Sequence, residues 1–335
     1  MTIMPVVGIV IAAHNAGEFL ADTLRSIARQ SYRSWVCVVI DDGSVDGTRE
    51  VADQFALNDT RILVLSIDHS GLCHARNCGL SQLDTGISLV TIMDADDVWE
   101  ETALERLVDE VERHPASIGA HGLGEFIDEA GRLLRPGEFS SFGRARKSGR
   151  GGRLHPWPTD QPTCFETVIT TSVLFPPGLL LMRRWVYERI EGYDAESLEG
   201  DWDLLIRATR HGDLRFINDV LIGYRRHESN LGARADMGRI AHGVRVRAFY
   251  SPENQPHHRT LVRDCWRALQ RDQVSARSRL AREAVAARHP MDAVRELARG
   301  AAASVRFVRG APSRTAMPTR SDLDGRLAPE LPSGN

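Results

Sequence analysis

The sequence predicts an α/β chain built on a mostly parallel central sheet flanked by helices, with a helical extension toward the C-terminus. Three observations predict it. Over the first hundred residues, short apolar runs alternate with segments of helical periodicity. Polar and acidic residues gather where each apolar run ends, as they do at the ligand-binding edge of open parallel sheets. Beyond Asp236 the strand signal gives way to helical, arginine-rich sequence.

Residues 6–12 (VVGIVIA) read as a buried strand and 16–30 as a helix with Leu20, Leu24 and Ile27 on one face. Residues 35–40 form a second strand, 45–58 a helix, 61–67 a third strand, 71–83 a helix and 87–93 a fourth strand. A helix over 101–114 places Leu104, Leu107, Val108 and Val111 at core spacing. Short apolar strands separated by helices imply a parallel sheet covered on both faces. Residues 115–177 are less regular, and 143–153 (GRARKSGRGGR) is expected to be a mobile loop. A strand over 178–182, helices over 183–191 and 201–211, and short strands over 214–217 and 220–225 complete the pattern. The expected organisation is one unit over 1–232, with halves at about 1–115 and 116–232. A basic helical extension over 233–310 and a disordered tail over 311–335 follow.

The composition, 42% hydrophobic and 26% charged, is that of a globular protein. The net charge of -3 is unevenly spread: between Arg234 and Arg320 eighteen arginines stand against seven acids. Five cysteines show no CxxC pair, so reduced thiols and a cytoplasmic setting are expected. No run of eighteen apolar residues occurs, and the first residues lack the pattern of a signal peptide. Residues 294–309 place Val294, Leu297, Ala298, Ala301, Val305 and Val308 on one helical stripe, with Arg295, Arg299, Arg306 and Arg309 opposite. Peripheral contact with an anionic membrane and packing on the protein's own core are both open for this segment.

The four strand ends read Ala13-His14-Asn15, Asp41-Asp42-Gly43-Ser44, Asp68-His69-Ser70-Gly71 and Asp94-Ala95-Asp96-Asp97. Carboxylates stacked along one sheet edge repel each other and call for a cation or a donor-rich ligand. The Asp-x-Asp after the fourth strand suits a hard divalent cation, Mn²⁺ or Mg²⁺, that also holds phosphate oxygens. A solvated turn that caps the next helix is the plainer account of the same residues.

Four segments in this order, VVGIVIAAHNAGEFLADTLRSIARQSY, VVIDDGSVDGT, GLCHARNCGL and VTIMDADDVW, resemble the successive signatures of family 2 glycosyltransferases. The resemblance covers roughly residues 5 to 230. It implies a GT-A fold and inverting, non-processive transfer of one sugar from a nucleotide-diphosphate sugar, UDP-sugar favoured, to an acceptor hydroxyl. Ala12, His14, Asn15, Asp41, Asp42, Arg76, Asp94, Ala95 and Arg226 are the donor-binding positions it implies. Within that set Asp42 would accept a hydrogen bond from the nucleobase, and Arg76 would lie against base and ribose. Asp96 would bind the metal, with Asp94 beside it and His227 as a further ligand or a donor to phosphate.

The chain departs from the family pattern at Ala12, Ala13 and His14, where hydroxyl-bearing residues are usual. His14 can stack on a base or serve as a turn residue. In GYDAESLEGDWDLLIRA, Gly200 stands where the family has Glu, and Asp201 keeps its place. Asp201 is the candidate general base, with helix capping as the competing role. Trp99 reads equally as an acceptor wall or a core aromatic, and His69 as a nucleotide contact or a turn residue.

The expected partners are a nucleotide-sugar donor and a carbohydrate, lipid-linked or small-molecule acceptor, with no nucleic acid. Cell-surface polysaccharide, glycolipid and secondary-metabolite glycosylation are the expected settings. A carbohydrate- or partner-binding relative of weak activity is the alternative from a different class. A sugar nucleotidyltransferase would carry a Gly-rich basic loop after the first strand, and AAHNAGEF is neither.

Overall fold

The computed structural model describes residues 5–172, 176–197, 200–230, 237–286, 291–292, 294–299 and 311. The N-terminal part runs β1 (Val7–Ala13), α1 (Leu20–Ala28), β2 (Trp35–Asp42), α2 (Thr48–Asn58), β3 (Ile62–Ile67), α3 (Leu72–Gln82) and β4 (Leu89–Asp94). Next come β5 (Val98–Trp99), α4 (Ala103–Arg113), β6 (Gly119–Ile127), β7 (Leu133–Leu134), α5 (Glu138–Arg144), β8 (Lys147–Ser148), β9 (His155–Pro156) and α6 (Phe165–Thr170). The chain continues through β10 (Leu180–Arg183), α7 (Arg184–Arg189), α8 (Gly200–Ala208), β11 (Leu214–Arg225), α9 (Met237–Tyr250) and α10 (Pro256–Ala286).

The main sheet has the order β3-β2-β1-β4-β10-β6-β11-β5, with β7 beside β6. The pairs β1–β2, β2–β3, β1–β4 and β6–β11 are parallel, whereas β10 is antiparallel to both its neighbours. This is the mostly parallel sheet expected from the alternating pattern. All seven residues of β1 are buried, as a strand covered on both faces requires. The register sets Ala12 beside Asp94 on one side and Ile40 on the other, so β1, β2 and β4 end at one level. That alignment brings the acidic strand ends together.

Three expectations about the middle of the chain are corrected. Residues 143–153 are not a free loop: they finish α5, form β8 against β9 and close in a 3-10 turn at Arg150–Gly152. Arg146 is enclosed there, donating to the carbonyls of Gln161 and Pro158 and to the Thr163 hydroxyl. The strands expected at 214–217 and 220–225 are one strand, β11, whose register against β6 slips around Val220. An irregularity there bends the strand and breaks its sequence pattern. Strand β6, central to the sheet, had no counterpart among the expected elements.

The C-terminal helices pack on the sheet-bearing part. Cys265 and Trp266 of α10 are buried, and the Cys265 thiol lies against the Ile169 carbonyl of α6. The basic stripe over 294–309 lies largely, and the tail over 312–335 wholly, outside the described residues. No helix among the described residues is long and apolar enough to cross a membrane. All five cysteines are free thiols, and Cys37 is a core residue, as expected.

Gly149 is the point where α10 meets the 3-10 turn. A Cβ there would lie 2.3 Å from the Cys265 Cα and 2.9 Å from its backbone nitrogen. Backbone cannot swing aside as a flexible side chain can, so a methyl must push α10 outward. Gly149→Ala is expected to lower the urea unfolding free energy by about 1–3 kcal/mol. Gly47→Ala, where a Cβ meets nothing within 4 Å, serves as the control in the same assay.

Candidate active site

Strand β4 delivers three carboxylates to the sheet edge. Asp94, Asp96 and Asp97 each place an oxygen within 4.8 Å of the others. Two buried arginines meet the resulting repulsion. Arg76 of α3, only 2% exposed, donates from Nη2 to Asp94 Oδ1 at 2.7 Å and from Nη1 to Asp201 Oδ1 at 3.0 Å. Arg225, at the end of β11, is fully buried. Its backbone N–H donates to Asp97 Oδ1 at 3.0 Å and its Nε to the Asp96 carbonyl at 2.7 Å. Its remaining nitrogens reach the carbonyls of Asp128 and Glu129 and the Asp22 carboxylate.

The electrostatics follow from enclosure. Burial pushes the Asp94 carboxyl up to about 6; Arg76 opposes that shift, while Asp96 and Asp201 add to it. Burial, with Asp96 and Asp94 nearby, drives Asp97 well above the ordinary carboxylate range. Asp97 Oδ2 is buried and has no hydrogen-bond partner among the described residues. An orphaned carboxylate oxygen is unfavourable, and a bound cation would relieve it. Asp96, like Asp94, is partly exposed, and its Oδ2 lies 2.9 Å from His227 Nε2. The His227 ring is set by Phe19, with centroids 4.7 Å apart. Carboxylate oxygens with one imidazole nitrogen suit Mn²⁺ or Mg²⁺, so the residues present fit a divalent ion.

The ends of β1 and β2 form a second region. Asp41 Oδ1 accepts from the Ser44 N–H and its Oδ2 from the Ser66 hydroxyl, which shapes the turn after β2. Asn15 has φ of 51° and its Oδ1 accepts from the Val45 N–H, tying the first loop to the second. The exposed rings of His14 and His69 lie 4.1 Å apart. Nδ1 of each approaches the Asp42 carbonyl oxygen, at 2.7 and 3.0 Å, so each ring carries its proton on that nitrogen. Ala12 and Ala95 are buried small residues, Ala12 in register with Asp94 and Ala95 next to it in the chain.

Several expected positions are placed differently. Asp42 is not an open acceptor: its Oδ1 takes the Ser70 N–H and hydroxyl, and its Oδ2 takes the Gly71 N–H. It therefore fastens the start of α3. Arg76 is enclosed between carboxylates rather than presented to a base and ribose. Arg226 is exposed, with its guanidinium over Phe126 at 5.0 Å; the neighbouring Arg225 is the one that reaches the acidic motif. Trp99 is a core aromatic, donating to the Gly178 carbonyl. Asp201 takes its bonds from Arg76 and Tyr193, not from amides of α8. The part played by Tyr193 had no sequence signal beyond its place before Asp201, and that of Asp97 none beyond its place in the acidic run.

Residues 8–165 match the model of glycosyl transferase family 2. The chain is similar to the putative teichuronic acid biosynthesis glycosyltransferase TuaG of Bacillus subtilis, with 34% identity over 103 residues, which is 30% of this chain and 40% of that protein. It spans about two fifths of the length of such curated relatives. Its fold is similar to that of the S. aureus TarS fragment 1–349 in complex with UDP-GlcNAc. There the TM-score is 0.56 and the identity 13%, over 92% of this chain and 93% of that one. It is similar also to the mannosyltransferase PcManGT from Pyrobaculum calidifontis in complex with GDP-Man and Mn²⁺. The TM-score is again 0.56, with 17% identity over 92% of this chain and 88% of that one.

Asp42 gives a stability prediction with a pH signature. Burial favours its neutral form, but the Ser70 and Gly71 amides and the Ser70 hydroxyl outweigh it and hold its carboxyl below the ordinary value. Its contribution is therefore full above about pH 3.9 and is lost as pH falls toward the depressed folded value. Asp42→Ala strands those buried donors and is expected to lower stability by roughly 1–3 kcal/mol at pH 7. The gap from wild type should narrow below pH 4 in denaturant titrations; a gap that is constant with pH would assign the loss to packing.

Proposed function

We propose that the chain, whose residues 8–165 match glycosyl transferase family 2 and whose fold is of the GT-A type, is a member of that family and moves one sugar from a nucleotide-diphosphate sugar to an acceptor hydroxyl with inversion. A UDP-sugar is the favoured donor and a cell-surface polysaccharide the favoured product. TuaG, whose name places it in teichuronic acid biosynthesis, and the UDP-GlcNAc complex of TarS support both choices. The single observation that carries the reading is the bridge through Arg76. One guanidinium spans Asp94 at the metal-suited strand end and Asp201 at the start of α8, at 2.7 and 3.0 Å. Donor-side and acceptor-side carboxylates are thus within one side chain's reach.

In this mechanism the acceptor oxygen forms a bond to the anomeric carbon from the face opposite the diphosphate. Its proton passes to Asp201, and the bond from the anomeric carbon to the phosphate oxygen breaks with its electron pair leaving on the nucleoside diphosphate. Asp96, Asp94 and His227 would hold Mn²⁺ or Mg²⁺, which supplies positive charge for the leaving diphosphate. Arg76 orients Asp201 through its bond to Oδ1. The exposed rings of His14 and His69 offer aromatic faces for the nucleobase beside the turn after β2. We assign these roles to a catalytic unit over 1–232.

A panel of UDP-, GDP- and dTDP-sugars, read by thermal shift with and without Mn²⁺, selects the donor. Asp96→Ala is expected to stay folded, because removing one of three clustered carboxylates relieves repulsion. It should lose the Mn²⁺-dependent part of both the thermal shift and the release of nucleotide from the selected donor. Retention of both would remove Asp96 from the metal site.

Asp201→Asn keeps size and hydrogen-bonding capacity and removes basicity. Nucleotide-sugar affinity should hold, while nucleotide release with water as acceptor falls by roughly 10²–10⁴. A fall of less than tenfold would place the base elsewhere.

A further inference from the structure

We propose that Tyr193 is a positioning residue for the transfer step, pinning one oxygen of Asp201 so that the other is directed at the acceptor hydroxyl. The proposal rests on the reading of Asp201 as the base. The Tyr193 hydroxyl donates to Asp201 Oδ1 at 3.0 Å, and Arg76 Nη1 donates to the same oxygen at 3.0 Å. Among the described residues no donor reaches Oδ2. The Asp201 side chain keeps 20% of its surface, whereas Tyr193 is 4% exposed. A carboxylate held at one oxygen by two donors has a fixed plane, and its second oxygen has a fixed direction.

The turn that carries Tyr193 is built for this placement. Asn77, next to Arg76 on α3, clasps the Tyr193 backbone: its Nδ2 donates to the Tyr193 carbonyl and its Oδ1 accepts the Tyr193 N–H, both at 2.8 Å. Adjacent residues of one helix thereby hold the phenol and the carboxylate it serves. Gly192 has φ of +68°, and a Cβ there would lie 2.4 Å from Asn77 Oδ1, so the clasp requires glycine. A Cβ at Gly200 would lie 3.0 Å from Cys73 Sγ and 3.3 Å from Tyr193 Cδ1. The missing side chain at 200 is what lets the Tyr193 ring pack against the first turn of α8. The Arg76 guanidinium lies 4.9 Å from the Tyr193 ring centroid, which closes the group.

Burial, reinforced by Asp201, holds the phenol well above its ordinary value, so it stays a donor. The alternative construction, a phenol that only fills space, would serve equally well with phenylalanine. Tyr193→Phe separates the two. It removes one oxygen, leaves the ring packing and keeps the Arg76 bond to Asp201.

The probe is the donor selected by the thermal-shift panel, with water as acceptor and nucleotide release as the readout. In Tyr193→Phe, donor affinity by calorimetry and donor KM should stay within about twofold of wild type, while kcat falls by roughly 10- to 100-fold. In an Asp201→Asn background the same substitution should change the residual kcat by less than about twofold, because a residue that acts through Asp201 has nothing left to position. A wild-type kcat in Tyr193→Phe, with Asp201→Asn inactive, overturns this inference alone. So does an equal loss in both backgrounds. An active Asp201→Asn overturns the base reading and this inference with it.

Discussion

Arg76 is enclosed between the carboxylates of Asp94 and Asp201, and much of the molecule is arranged to keep it there. A buried guanidinium is unfavourable unless its charge and its donors are met. Helix α3 supplies it from one side, β4 brings Asp94 from beneath, and α8 brings Asp201 from 125 residues further along the chain. Asp42 fastens the first turn of α3, so the end of β2 also fixes where the helix that carries Arg76 begins. Removing one carboxylate leaves a buried cation half-paired; removing the cation leaves two carboxylates facing each other. The arrangement gives the site a defined geometry while adding little to net stability.

Arg225 does the corresponding work on the other flank. Its backbone and side chain gather the β4–β5 turn, the β6–β7 turn and α1 around a single side chain. The acidic motif is therefore clamped between two cations that approach from elements far apart in sequence. Arg146, buried, and Arg245, half-buried, have no carboxylate among the hydrogen bonds described for them; they are held by carbonyls and a hydroxyl and lie over Phe216 and Trp202. Such arginines organise loops. Among the described residues, Arg76 and Arg225 are the buried arginines that meet the carboxylates of the acidic motif.

How legible this was from sequence depends on the range of each interaction. The first four strands and three intervening helices follow from local periodicity, because each must bury one face or both. Strand β6 escaped because GAHGLGEFI contains three glycines, which read as loop. In the fold each is dictated by close packing: a Cβ at Gly119, Gly122 or Gly124 would come within 2.3, 2.4 or 2.7 Å of neighbouring atoms. Local propensity loses to tertiary contact there. The acidic strand end was legible because its spacing is local. The burial of Arg76 was not, since an ion pair across 125 residues leaves no pattern in either segment alone. The same holds for Arg225, which the basic run YRRHESN suggests only as one of three cations.

The site is also where local rules are left unmet. Asp97 Oδ2 and Arg76 Nε are both buried without hydrogen-bond partners among the described residues, as are polar atoms elsewhere such as Trp35 Nε1 and Arg146 Nε, but these two belong to side chains that neighbour Asp94. An unsatisfied buried polar atom costs about 1–3 kcal/mol, and a charged one more. A chain selected for stability alone would place smaller neutral groups at a strand end that already carries two carboxylates. Strand β1 does so, ending in Ala12 and Ala13 beside the same edge. Neighbouring strands of one sheet thus contrast, small and neutral at the end of β1 but acidic at the end of β4, and that contrast is what singles out the β4 end as the candidate site. Ala12, buried and in register with Asp94, keeps the β1 end free of further charge beside that cluster.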